Sequence, residues 1–102
     1  MTRQLIEITF GNALTQARQL DDCAADMRRV AGSGMNNIKN DLASAWEGQS
    51  SAAYIAKMDD TAANILETAR KIEQIANTLR RVAHIFRDTE LKALEMLNTN
   101  GG

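Results

Sequence analysis

From Ile55 to Leu97 the chain repeats a single spacing without a slip. Ile55, Met58, Ala62, Ile65, Ala69, Ile72, Ala76, Leu79, Ala83, Phe86, Glu90, Ala93 and Leu97 follow one another by alternate steps of three and four. That is the period of one face of an α-helix packed lengthwise on another helix. A strand cannot carry it, because strand side chains change face at every residue. Leu66, Ile75, Val82 and Leu94 form a parallel row that widens the stripe. No glycine or proline interrupts the run, so the spacing predicts one long, coiled-coil-like helix.

A similar row precedes it: Ala13, Ala17, Leu20, Ala24, Met27, Ala31, Gly34, Ile38, Leu42 and Ala45, with one repeated step of four after Gly34. Leu14, Cys23, Val30 and Met35 widen this stripe too. The one turn signal between the rows is Trp46-Glu47-Gly48, where Gly48 can end a helix in the left-handed conformation that disfavours a Cβ. The boundaries predicted are a first helix over about 11–46, a turn at 47–49 and a second helix over about 50–97. Thr9 or Asn12 would cap the first helix, and Ser50 or Ser51 the second. Ile6, Ile8 and Phe10 alternate with polar residues and suggest a short extended lead-in, while Asn98–Gly102 should fray. Gly32-Ser33-Gly34 falls inside the first helix, and each glycine costs roughly 1 kcal/mol relative to alanine. The pair could admit a close neighbour or break the helix. The seam keeps its phase across it, which favours a continuous, locally bent helix.

A short turn between long helices gives an antiparallel hairpin. The fold class expected is therefore all-α, a hairpin that pairs with a second hairpin as a four-helix bundle dimer, because two helices alone bury little apolar surface. Leu14, Leu20, Met27, Ile38, Leu42, Ile65, Ile72 and Leu79 are the residues expected at these helix contacts. The first helix would span roughly 50 Å and the second roughly 70 Å. The second would then overhang its partner at the C-terminal end, carrying Phe86, Leu91, Leu94, Met96 and Leu97 into solvent. Phe86 would also lie about 55 Å along the helix from Gly48, so the turn and tail of one chain could not meet.

The remaining composition excludes more than it suggests. Twelve basic and 13 acidic residues leave a formal charge of −1, which is no footprint for nucleic acid. One histidine, His84, and one cysteine, Cys23, offer neither a catalytic set nor metal-ligand spacing. No enzyme activity, cofactor or metal is expected. No run approaches the ~20 apolar residues that span a bilayer. No secretory leader is expected in the first residues, since Glu7 and Asn12 interrupt any apolar region.

Taken together, the length of 102 residues, the two-helix layout and the central Trp46-Glu47-Gly48, followed by Ser50, Ser51, Ala52 and Ala53, resemble the WXG100 (ESAT-6-like) family of small type VII secretion proteins. The resemblance covers essentially the whole chain. It implies a homodimer, or a heterodimer with another WXG100-like or LXG-type hairpin. It also implies export, folded, by a membrane ATPase of the FtsK/SpoIIIE type. The protein would be cytoplasmic before export, and afterwards secreted or held at the cell envelope, without a cleaved signal peptide. The family's C-terminal Tyr-x-x-x-Asp/Glu export motif corresponds here to Phe86-Arg87-Asp88-Thr89-Glu90. Phe86 stands where the family has Tyr, keeping the ring and losing the hydroxyl. That departure leaves room for a related role, a targeting partner that delivers a larger toxin through its helical N-terminal domain. Trp46 would be both a cap on the hairpin end and half of a composite signal with the partner's tail. Glu90, a carboxylate on an apolar seam, would either pair with Arg87 or stay solvated.

Overall fold

The computed structural model describes residues 2–45 and 49–101, and among them only Thr2 is not helical. Helix α1 runs Arg3–Arg29, a single π-helical turn Val30–Gly34 comes next, α2 is Met35–Ala45, and α3 is Gln49–Gly101. The fold is an all-α antiparallel hairpin, with α1 and α2 forming one arm and α3 the other. Trp46, Glu47 and Gly48, the expected turn, lie outside the described residues.

The chain divides into two compact units, Met1–Asp21 with Gln74–Gly102, and Asp22–Glu73. In the first, Glu7 pairs with Arg87, Phe10 meets His84 and Asp21 pairs with Arg80. In the second, Arg28 pairs with Glu73 and Lys39 with Asp59. Within each unit a later residue on one arm meets an earlier residue on the other, as antiparallel packing requires. The fully covered positions are nearly all alanine. Ala17, Ala76 and Ala83 are buried in the first unit, with Ile6 the largest fully buried side chain, and Ala24, Ala31 and Ala69 are buried in the second. Alanines seven apart on both arms let helices approach at the short end of the usual separation of about 8–10 Å.

The expected extended lead-in is instead the first turns of α1, which starts at Arg3 rather than near residue 11. Thr2 caps it: its Oγ1 accepts from Leu5 N at 3.2 Å, and its carbonyl accepts from Ile6 N at 3.0 Å. Thr9 and Asn12 are therefore interior helix residues. The alternation of Ile6, Ile8 and Phe10 is a coincidence of two helical faces, since Ile6 is fully buried and Ile8 is 50% exposed. The true row is Ile6, Phe10, Ala13 and Ala17, the same steps of four and three that continue downstream. At the other end, α3 continues through Asn98 to Gly101 instead of fraying, and it begins at Gln49, so Ser50 and Ser51 are inside it.

The longer α1 also removes most of the expected overhang. Phe86 sits beside Thr9, Phe10 and Ala13, and Leu91 and Leu94 share a recess with Arg3. The eight residues added to α1 extend it by about 12 Å. Among the expected overhang residues only Met96 and Leu97 remain exposed.

The glycine pair neither breaks the arm nor admits a neighbour. Met35 N–H donates to Val30 O, five residues back, which closes the π turn. Ser33 Oγ donates to Arg29 O at 3.4 Å. A Cβ added at Gly32 would meet nothing within 4 Å, and at Gly34 only its own helix's Arg29 carbonyl. The π turn holds one residue more than an α turn and so rotates α2 about the axis of the arm. Ala31 is buried, and an unbroken repeat would next bury Ile38. Instead Ile38 is 55% exposed, while Met35 and Lys39 are half-buried. Gly32→Ala should therefore stabilise the protein by about 0.5–1 kcal/mol in urea unfolding, because no contact opposes it and the unfolded chain loses freedom. Destabilisation by that amount would mean that the open space at Gly32 is occupied.

Candidate functional site

Two different flanks border the buried seam of α3. Asp59, Glu73, Arg80 and Arg87 recur at multiples of seven on one side, and Tyr54, Ile75, Val82 and Met96 do so on the other. The first flank is ionic and closes onto the opposing arm. In the first unit Arg80 Nη2 pairs with Asp21 while Arg80 Nη1 donates to Asn77 Oδ1 at 3.0 Å. In the second, Lys39 Nζ reaches Asp59 Oδ1 at 2.6 Å, and Arg28 pairs with Glu73. Each of these pairs, like Glu7 with Arg87, is partly exposed and so contributes at most about 1 kcal/mol.

The second flank is apolar and uncovered. In the first unit Ile75 is 56% and Val82 54% exposed. Beside them Thr9, Phe10, Ala13, Leu79, Val82, Ala83 and Phe86 line a shallow recess whose surface is carbon. In the second unit Val30 and Tyr54 are exposed, with Met27, Ile65 and Ile72 half-buried. Leu14, Leu20, Leu42 and Leu79 are also half-buried, whereas Ile38 is exposed. A β-branched row left in water along a helix usually marks a contact surface.

Phe86 and Glu90 lie one turn apart on α3, both half-buried. Arg87, between them, turns to the ionic flank. Its guanidinium lies over the Phe10 ring, 4.7 Å from the centroid, and its Nε is 3.3 Å from Glu7 Oε1 without an aligned hydrogen bond. His84, one turn before Arg87, meets the same Phe10 ring edge-on at 4.9 Å and 67°. Of the two alternatives for Glu90, the pairing with Arg87 is not the one formed, since Arg87 makes its contact across the hairpin. Among the described residues Glu90 has no ion-pair partner. The cluster of Glu7, Phe10, His84 and Arg87 was not legible as a site in the sequence. Its only signal was the one-turn spacing of His84 and Arg87 and the i,i+3 step from Glu7 to Phe10.

A displaced pair of ionisable groups lies away from this region. Hydrogen bonds from the Arg70 guanidinium hold the exposed Glu67 carboxyl below its ordinary range, and the same bonds raise Arg70. Both lie on one outward turn of α3 and mark a helix-surface pair rather than a reactive centre. Among the described residues no group of His, Cys, Asp and Glu could hold a metal ion. No helix among them is long and apolar enough to cross a membrane.

A model of the WXG100 family, described as proteins of 100 residues with WXG, matches residues 5–91. The chain belongs to the WXG100 family. Neither a curated protein nor a solved structure matches it. As a WXG100 protein it is a small helical protein associated with type VII secretion, and the family is one of secreted helical proteins not known as enzymes. The match begins at Leu5, within the segment that the structure makes helical, and ends at Leu91, just past Glu90.

Phe10 ties Arg87 and His84 to the opposing arm, so Phe10→Ala should cost about 2 kcal/mol in thermal or urea unfolding. An unchanged midpoint would mean that the ring contributes neither packing nor a cation contact.

Proposed function

We propose that this WXG100 protein is a non-enzymatic substrate of a type VII secretion system, exported as a pair of hairpins. The observation that carries the reading is the uncovered apolar flank of α3, where Ile75 and Val82 stand in water beside half-buried Leu79 and Phe86. A second WXG100-like hairpin laid on that flank would complete a four-helix bundle, burying at roughly 25 cal/mol per Å2 what one chain leaves exposed. The contact residues would include Leu14, Leu20, Met27, Ile65, Ile72 and Leu79, with Ile38 available to the partner through its exposure.

On this reading the export signal has two halves. Trp46, Glu47 and Gly48 of one hairpin would lie beside Phe86 and Glu90 of the other, and an FtsK/SpoIIIE-type ATPase would read both. The free carboxylate of Glu90, one turn from an aromatic ring, supports this assignment. The protein would be cytoplasmic until export and then secreted or retained at the envelope. A second reading is favoured by the same exposed flank together with Phe86 in place of Tyr: the partner could be the helical N-terminal domain of a larger toxin, which this chain would deliver to the ATPase.

Export to the medium tests the signal. Trp46→Ala and Glu90→Ala should each remove the protein from the medium while folded protein accumulates inside the cell. Undiminished export of both variants would overturn the assignment. If a larger protein disappears from the medium together with the variants while this chain itself never reaches it, the delivery role takes the first place.

A further inference from the structure

Arg87 has a choice of three neighbours, and the hairpin decides it. Along its own helix the nearest acid one turn on is Glu90, three residues later, close enough for the pairing that usually forms on a helix surface. Across the hairpin stand the Glu7 carboxylate at 3.3 Å and the Phe10 ring at 4.7 Å. The side chain takes the second course. It is only about a third exposed, and its Nε is buried without an aligned acceptor, so it is held by charge and by the ring rather than by a directed bond. Such a hold is weaker than a bidentate one and can be released by a small change in the opposing helix.

We infer that Glu7, with Phe10, is a positioning residue that draws Arg87 off Glu90 and leaves the Glu90 carboxylate open to a basic side chain of the binding partner. The inference rests on the reading of Glu90 as part of the export signal, and adds the chemistry of what meets it. A carboxylate already paired within its own chain must break that pair before a partner's arginine or lysine can use it. An unpaired one, half-buried beside Phe86, offers charge and an apolar ring on the same turn. The consequence is that a residue near the start of the chain, outside any motif, controls the signal near its end. The device depends on α1 beginning as early as Arg3, since a first helix that started near residue 11 would leave neither Glu7 nor Phe10 in place.

The test has two independent readouts. Side-chain NMR of the Arg87 Nε–Hε group reports where the guanidinium lies. In the wild-type protein its resonance should shift on Glu7→Gln and stay fixed on Glu90→Gln. In the Glu7→Gln background it should become sensitive to Glu90→Gln. If Glu90→Gln already moves it in the wild type, or fails to move it in the Glu7→Gln background, the inference is overturned whatever export does. The second readout is export. Glu7→Gln should lower it by about twofold, the scale of one helix-surface ion pair, and the double variant Glu7→Gln/Arg87→Gln should restore it. A merely structural role for Glu7 also allows rescue, since the double variant relieves an unpaired Arg87, but it does not predict that Arg87 becomes sensitive to Glu90→Gln in the Glu7→Gln background. Unchanged export in Glu7→Gln, or loss without rescue, contradicts the inference. Unchanged export in Glu90→Ala together with the expected NMR pattern would instead remove Glu90 from the signal and leave the positioning of Arg87 standing. Circular dichroism at matched concentration identifies any variant that has lost its helices. For such a variant Glu7→Asp, which keeps the charge and draws back the carboxylate, replaces Glu7→Gln in both readouts.

Discussion

The alanines buried at every seventh position hold the rest of the structure in place. Ala17, Ala24 and Ala31 on one arm and Ala69, Ala76 and Ala83 on the other are almost wholly covered. A methyl group fills little space, so opposing backbones come close, and the larger side chains cannot lie between them. Apart from Ile6, which is fully buried, the large apolar side chains among the described residues lie at the edges of the seam, half-buried or exposed. On one edge, charged residues close over the gap, and on the other the apolar side chains stand open. A hairpin cored by leucine would have buried its own bulk and left no such edge.

The ion pairs add specificity more than energy. In the first unit the acids Glu7 and Asp21 belong to α1 and the bases Arg80 and Arg87 to α3, whereas in the second the bases Arg28 and Lys39 face the acids Glu73 and Asp59. An alanine repeat by itself tolerates a slip of seven residues. Such a slip would set Arg28 level with Arg80 in one direction and Asp21 level with Glu73 in the other. Like charges then meet at those positions, a modest bias against the slip that is partly offset in the first direction, where Asp21 comes level with Arg87.

Much of this architecture was legible in the sequence because the seam of α3 never slips from Ile55 onward. The two helical arms and the helical fold class came from spacing alone. The features that were hidden had specific physical causes. The start of α1 was hidden because Ile6, Ile8 and Phe10 satisfy a strand's period and a helix's period at once over so short a stretch, and the deciding residue, Thr2, acts through a cap rather than through periodicity. The path after Gly34 was hidden because Gly32-Ser33-Gly34 marks a weak point without saying that the helix takes up one extra residue there. The repeated step of four at Gly34, Ile38 and Leu42 is its trace in the sequence, and it was the wrong row that carried it, since Met35 rather than Ile38 turns inward. For the functional region, the positions of Phe86 and Glu90 came from family resemblance, while the partner of Arg87 lies across the hairpin, 80 positions away in sequence, where no local pattern reaches.

The proposed function joins membership of the WXG100 family to the exposed apolar residues of α3 through one element, a second helical surface supplied from outside the chain. On the reading proposed above, that surface is a second hairpin. Its most direct test is the solution mass of the purified protein by multi-angle light scattering, over a wide range of concentration and with Val82→Glu as the paired variant. The expected result is a stable particle of twice the 11.2 kDa chain that falls to the monomer when a charge is set on the flank. A helical, folded monomer at every concentration, unchanged by Val82→Glu, would contradict it.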